Sequence, residues 1–156
     1  MAEKLSARGW QVITTSSQQN QALRLLDMLS IVYTQRHEYA LAQIDVFSGK
    51  AFIYAEACSQ LLKWLGKPMV LTLHGGGLPE FASKHPVRVK RLLQRADAIV
   101  TPSPFLKNSL REYAPDIRLI NNPIDISQGI YRQRSAVQPK LIWVRAFHEI
   151  YNPEMA

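Results

Sequence analysis

A short apolar run that ends in a histidine and three glycines constrains this chain more than any other feature. Residues Met69–Leu73 read MVLTL, and His74 and Gly75–Gly77 follow directly. Such a run, with Pro68 before it and glycine after it, is typical of a buried strand in a parallel sheet. Glycine has no Cβ, so the chain can turn sharply there and approach a ligand closely. We therefore predict a strand over 69–73, followed either by a ligand site or by a plain tight turn.

Similar apolar runs recur along the chain and alternate with amphipathic segments. The predicted strands are residues 10–15, 40–47, 69–73, 98–101, 117–120 and 140–144. The predicted helices are residues 1–8, 21–33, 51–65, 86–95 and 103–113, with a loop or short helical turn at 78–85. This alternation indicates right-handed βαβ units. The predicted fold class is α/β, a Rossmann-like three-layer α/β/α arrangement with a mostly parallel sheet.

Three polar residues each follow a predicted strand, and parallel strands end at the same edge of a sheet. Ser48, His74 and Ser103 should therefore meet where open α/β sheets bind their ligands. An imidazole there can act as a general base, as an electrophile or as a partner for a sugar hydroxyl. Ser103 opens a helix, so it is either an ordinary N-cap or a phosphate or sugar contact. No carboxylate is next to His74 in sequence; Asp45 and Glu80 could approach it in space, but sequence spacing does not show whether either does.

Composition narrows the class of protein. The chain has 156 residues, 47% of them hydrophobic, which suits a globular domain, and no apolar run approaches the ~18 residues of a membrane span. Its one cysteine, Cys58, excludes an intramolecular disulfide and a cysteine-based zinc site. The expected location is the cytoplasm. The net charge of +7 favours acidic partners such as a nucleoside diphosphate, an anionic membrane or nucleic acid.

A basic helix carries part of this charge. Lys84, Arg88, Arg91 and Arg95 fall on one face of the segment 84–95. Such a basic face is either exposed to solvent or binds an anionic membrane surface. In the second case the protein would be a peripheral protein on the inner face of the membrane. Aromatic residues do not interleave with the basic ones, so nucleic acid is not among the predicted partners.

The sequence HGGG after a strand also occurs as the oxyanion-hole motif of lipases and esterases. That mechanism needs a nucleophile on a G-x-S-x-G elbow, and the chain has no such elbow. A hydrolase is therefore a remote alternative.

Taken in order, strand–HGG, TPS before a helix, NPID in a turn-rich linker and strand–Arg resemble glycosyltransferase family 4, from Met1 to Ala156. The resemblance implies a GT-B fold of two Rossmann-like domains, with the acceptor on the N-terminal one and a nucleotide-sugar donor on the other. It implies a retaining glycosyltransferase of hexosyltransferase type that acts on a glycan or lipid-linked acceptor of the cell envelope or of a polysaccharide. It implies neither a metal nor a cofactor, the nucleotide-sugar being a co-substrate. The alternative is a non-catalytic Rossmann-type binding domain.

The resemblance also assigns residues. His74 matches the catalytic histidine that contacts the donor sugar, and Arg145 matches the residue that binds the donor diphosphate. Ser103 matches the serine that opens the helix after TPS. The predicted substrate-binding residues are Ser103 and, from their place at the sheet edge, Ser48, Gly75, Gly76, Gly77 and Glu80. Asn122, Pro123 and Asp125 match the N-P-x-D signature at the domain boundary. The lysine that usually follows the arginine is replaced here by Tyr151 or Asn152.

By the same resemblance, residues 1–126 form the N-terminal domain without its first strand. Residues 127–156 are then a linker and the first strand of a donor domain, and this polypeptide alone is expected to be inactive. The first strand is central in the Rossmann order, so its loss would open two edges inside the sheet. Either Leu141–Val144 fills that gap from the same or another chain, giving a strand-swapped homodimer, or the flanking strands close on each other.

Overall fold

A computed structural model describes residues 2–123, together with Gln133, Ala136 and Glu154. The chain divides into two compact units, Met1–Asn122 and Pro123–Ala156, and the elements below belong to the first. The predicted strand at 140–144, Arg145 and Asp125 lie outside the described residues.

Four parallel strands form one sheet in the order β1-β2-β3-β4. The strands are β1 Ala42–Val46, β2 Met69–Leu73, β3 Ala98–Thr101 and β4 Arg118–Leu119. The helices are α1 Ala2–Ser6, α2 Gln21–Thr34, α3 Phe52–Trp64, α4 Leu78–Lys84, α5 Pro86–Leu93 and α6 Pro104–Leu110, with a 3-10 turn at Gly49–Ala51. The predicted α/β, Rossmann-like class is confirmed. The segment 78–85, predicted as a loop or short turn, contains a helix of seven residues.

The core lies between the sheet and helices α3 to α6. Alternate residues of β2 are fully buried, and α3 buries one face along its whole length. The largest fully buried side chains are Phe52, Leu62, Met69, Leu71, Leu73, Leu78, Leu92 and Leu110. Burying one such side chain contributes about 1.5–3 kcal/mol, so this cluster holds the four strands and their helices together.

Local signals in the sequence set the ends of the helices. Asn20 caps α2, since its Oδ1 accepts the amides of Ala22 at 2.9 Å and Leu23 at 3.2 Å. Gly66, with φ of 65°, ends α3 in a Schellman motif: the Lys67 amide donates to the carbonyl of Leu62 at 2.9 Å. These ends direct the chain from α3 straight into β2.

The prediction of a strand at residues 10–15 is wrong. Among the described residues no amide of 11–15 donates a backbone hydrogen bond, and Trp10 is 67% exposed. The outer edge of β1 is unpaired in the described sheet, and a cavity of about 250 Å³ separates β1 from Ile13 and Thr15. The expectation that the two flanking strands close on each other is therefore wrong: residues 10–15 form no strand in the described part of the chain, so they do not pair with the outer edge of β1.

The predicted basic face is only partly free. Arg88 binds Glu56 of α3 with two nitrogens, at 3.0 and 2.5 Å. Arg95 donates to the carbonyl of Glu56 and to the hydroxyl of Ser59. These two side chains thus attach α5 and the turn after it to α3, while Arg91 is exposed.

Candidate functional site

The carboxyl ends of β1 and β2 lie side by side and form the candidate site. The register pairs Asp45 with Thr72 and Val46 with Leu73, so both strands end at the same level. The ladder extends one residue further, since the His74 amide donates to the carbonyl of Val46 at 2.9 Å. The backbone of His74 is thereby fixed where the sheet ends.

Asp45 of β1 and Phe47, the residue directly after β1, contact the imidazole of His74. Its Nε2 lies 3.4 Å from Oδ1 of Asp45, and the ring of Phe47 stacks on it with centroids 5.2 Å apart and planes 17° from parallel. Gln43 donates from Nε2 to the same Asp45 oxygen at 3.3 Å. The His74 side chain is 26% exposed, so it lies at the surface of the sheet edge and not in the core.

The glycines form a short turn between two buried leucines, Leu73 at the end of β2 and Leu78 at the start of α4. Gly75 has a φ of 84°, a conformation that other residues rarely adopt. At Gly77 an added Cβ would lie 3.1 Å from the Ser48 hydroxyl oxygen, so a larger residue would crowd that serine. Glycine is therefore favoured by the backbone conformation at Gly75, and at Gly77 a Cβ would require the Ser48 hydroxyl to move by a few tenths of an ångström.

The two predicted serines differ in what their hydroxyls do. Ser103 Oγ accepts the Leu106 amide at 3.3 Å, so it is the N-cap of α6, as one of its two interpretations predicts. Ser48 also precedes a helical turn, but its side chain makes no capping bond there. Its hydroxyl faces the glycine turn and is the better placed of the two to meet a ligand.

Glu80 is directed to its own helix. Its carboxylate binds Lys84 one turn later at 2.6 Å, and the hydrogen bond from Lys84 lowers the pKa of Glu80. Both side chains are mostly exposed. Asp45, and not Glu80, is therefore the carboxylate that meets His74.

Sequence reasoning overlooked Gln43 and Phe47 and left Asp45 undecided. The signal was present in the strand period: residues 43, 45 and 47 alternate with the buried Ile44 and Val46, so they share one face of β1. Applying that period to the last residues of β1 would have placed all three beside His74. The described members of the N-P-x-D signature, Asn122 and Pro123, are exposed after β4 and lie in no regular element.

The arrangement is suited to binding a polar ligand through hydrogen bonds. A partly exposed imidazole, a serine hydroxyl without a capping bond and a turn without side chains meet at one edge, where open α/β sheets bind ligands. Among the described residues no group of three His, Cys, Asp or Glu side chains is placed to hold a metal ion.

Comparison with protein families decides the class. The model described as Glycosyltransferase Family 4 matches residues 20–128, well over half of the chain. The chain belongs to glycosyltransferase family 4. No curated protein matches it. The family match begins at the cap of α2 and includes β1, β2 and the whole candidate site.

No helix in the described part of this family-4 chain is long and apolar enough to cross a bilayer.

Proposed function

We propose that this chain is the acceptor-side half of a retaining glycosyltransferase. The enzyme transfers a hexose from a nucleotide-sugar to a glycan or lipid-linked acceptor of the cell envelope or of a polysaccharide. Membership of family 4 supports the transfer of sugar. The observation that carries the proposal is the position of His74, held at the ligand-binding edge of a parallel sheet and partly open to solvent.

Each part of the site has a role in this proposal. His74 hydrogen-bonds a hydroxyl of the transferred sugar, which fixes the sugar relative to the acceptor. The turn Gly75–Gly77 lets the ligand approach the backbone, because no side chain intervenes. Ser48 offers a hydroxyl that donates to or accepts from the same ligand. Arg145, outside the described residues, is proposed to balance the charge of the diphosphate leaving group.

We also propose peripheral contact with an anionic membrane, but fewer basic residues are available for it than the sequence predicts. Arg88 and Arg95 are engaged with α3, and Lys84 with Glu80. The exposed Lys90 and Arg91 are the residues of α5 left to meet lipid phosphates.

Ligand-observed NMR tests the proposal on the chain itself. Saturation-transfer spectra are recorded with oligosaccharides, with UDP-sugars and with GDP-sugars, for the wild type, His74→Ala and the exposed control His37→Ala. We expect transfer to sugar protons in the wild type and in His37→Ala, and loss of that transfer in His74→Ala.

The assignment of this chain to the acceptor half is tested by a second measurement, its binding and hydrolysis of nucleotide-sugars. We expect no release of UDP or GDP by the chain alone and only weak binding of nucleotide-sugars. Tight binding of a nucleotide-sugar to this chain would contradict its assignment as the acceptor half. Equal transfer in the His74→Ala and His37→Ala variants would contradict the role of His74.

A further inference from the structure

The imidazole of His74 is held from two directions by residues of a single strand face. Asp45 lies 3.4 Å from its Nε2, and the Phe47 ring is stacked against its plane. Asp45 in turn accepts a hydrogen bond from Gln43. These three residues are 27 or more positions from His74 in sequence, and the parallel register of β1 and β2 alone brings them together.

A carboxylate beside Nε2 favours that ring nitrogen as the site of the hydrogen. An ionised carboxylate accepts hydrogen bonds and donates none, so the neutral ring gains most when its hydrogen is on Nε2, towards Asp45. Nδ1 then has a free lone pair. The 3.4 Å separation is longer than a formed charge-assisted hydrogen bond of ~2.8 Å, so in the free protein the contact is electrostatic. Such contacts commonly tighten when a ligand binds.

We propose that Asp45 is a positioning residue for His74, which it holds in the Nε2–H form so that Nδ1 accepts a hydrogen bond from a sugar hydroxyl. The stacked Phe47 limits rotation of the ring, and Gln43 keeps the carboxylate turned towards it. The inference rests on the proposed function for the identity of the ligand as a sugar. It names the chemistry of the contact: the sugar donates, and the protein accepts.

A purely structural role for Asp45 fits the observations less well. Its side chain is 54% exposed, and a solvated carboxylate at the edge of a sheet contributes little to stability. Its polar partners in the described part of the chain are Gln43 and His74. A group that matters little for folding but contacts a ligand-facing imidazole acts chiefly through that imidazole.

The tautomer of His74 can be measured directly by ¹⁵N NMR of the full chain, at a pH at which its imidazole rings are neutral. The His74→Gln variant identifies the His74 signals by their loss. Asp45→Asn is the test variant, because an asparagine amide can donate to Nε2 and so favours hydrogen on Nδ1. Asp45→Glu tests rescue, and Asp116→Asn is the control for removing an exposed carboxylate elsewhere.

We expect the Nε2–H form in the wild type, in Asp116→Asn and largely in Asp45→Glu, and a mixed or reversed population in Asp45→Asn. An identical tautomer in wild type and Asp45→Asn would overturn the proposal. Far-UV circular dichroism confirms that each variant is folded. If Asp45→Asn does not fold, Gln43→Leu replaces it, and a shift towards the Nδ1–H form is again expected because the carboxylate loses its tether.

Weak binding of a nucleotide-sugar, which carries the sugar that His74 is proposed to contact, is followed by saturation transfer in the same variants and separates this inference from the proposed function. We expect Asp45→Asn to weaken binding roughly tenfold, the loss of about one good hydrogen bond. If wild-type chain binds sugar and Asp45→Asn binds it equally well, Asp45 does not position His74 for that ligand. If no variant binds sugar, the proposed function fails, and the tautomer measurement alone decides whether Asp45 orients His74.

Discussion

Of two apolar segments with strand-like sequences, one forms a central strand in this molecule and the other forms no strand. β2 is hydrogen-bonded to β1 on one side and to β3 on the other, and its Met69, Leu71 and Leu73 are fully buried. Residues 10–15 carry Val12 and Ile13 between polar residues, yet they form no strand in the described structure. The difference shows that a run of β-branched and apolar residues does not form a strand unless a neighbouring strand completes its ladder.

The helices show a similar contrast in how many of their residues are buried. Helix α3, which packs on β1, has five buried residues. Helix α2 has one, Val32, and leaves Leu23 54% and Leu26 63% exposed. Packing therefore weakens from the centre of the sheet towards the N-terminus, across the cavity beside β1. We expect local stability to follow this gradient.

Amide hydrogen exchange should show the largest contrast between the two segments. Amides of β2 can exchange only when the sheet opens, whereas those of residues 11–15 have no backbone acceptor among the described residues. We expect β2 amides to exchange at least about a thousandfold more slowly than those of Val12–Thr15, as measured by NMR or mass spectrometry. Comparable protection in both segments would mean that residues 10–15 have a strand partner in solution.

Truncating one side chain in each segment should separate them by a smaller amount. Leu71→Ala creates a cavity in the centre of the core, and we expect it to lower the free energy of unfolding by about 3 kcal/mol. The matched change Ile13→Ala removes a side chain that is 37% exposed and borders an existing cavity, so we expect a loss below about 1 kcal/mol. Urea unfolding of both variants measures the difference, and equal losses would contradict the gradient.

How much of the fold the sequence predicts depends on how local the cause is. The bounds of β2 and β3, the caps at Ser103 and Gly66, and the α/β class follow from neighbouring residues, and the structure confirms them. Whether residues 10–15 find a partner strand depends on parts of the chain distant in sequence, and periodicity carries no information about that.

In the candidate site, too, the features formed by consecutive residues can be predicted and the long-range contacts cannot. His74 and its glycines are visible in the sequence because they are consecutive. The contact with Asp45 is not, since it depends on β1 lying next to β2 in a register that pairs Asp45 with Thr72. Likewise the sequence places Arg88 on a basic face, but its bond to Glu56, 32 residues away, depends on how α5 packs on α3.

The thiol of Cys58 reports on the packing next to the cavity. Burial raises the pKa of Cys58 to about 11, from an ordinary value near 9. Because the folded-state pKa is the higher one, the thiol stabilises the fold below pH 9, and this contribution is lost as the pH rises towards 11. We expect the wild type to lose about 2 kcal/mol more stability than Cys58→Ala between pH 8 and 10.5.

Urea unfolding at a series of pH values measures that difference between wild type and Cys58→Ala. Parallel pH profiles would mean that water reaches the thiol through the cavity beside β1. In that case the loose packing beside the cavity would include part of α3. The difference in packing between this side of the molecule and β2 would then be larger than the structure indicates.

Two ion pairs in the described part of the chain, one within α4 and one between α5 and α3, should give the smallest effects, and they differ in kind. Arg88 binds Glu56 across two helices with both partners partly covered, whereas Lys84 binds Glu80 within one exposed turn. We expect Arg88→Gln to cost about 1 kcal/mol with little dependence on salt, because the pair joins two elements of the packed side.

Lys84→Gln should have a weaker effect that disappears in 1 M NaCl. Lys84 lowers the pKa of Glu80, so that contribution is present above the ordinary carboxyl value and is lost as the pH falls through the lowered one. A salt-resistant loss in Lys84→Gln would show that α4 depends on its surface charges as much as on the buried Leu78 and Ala82.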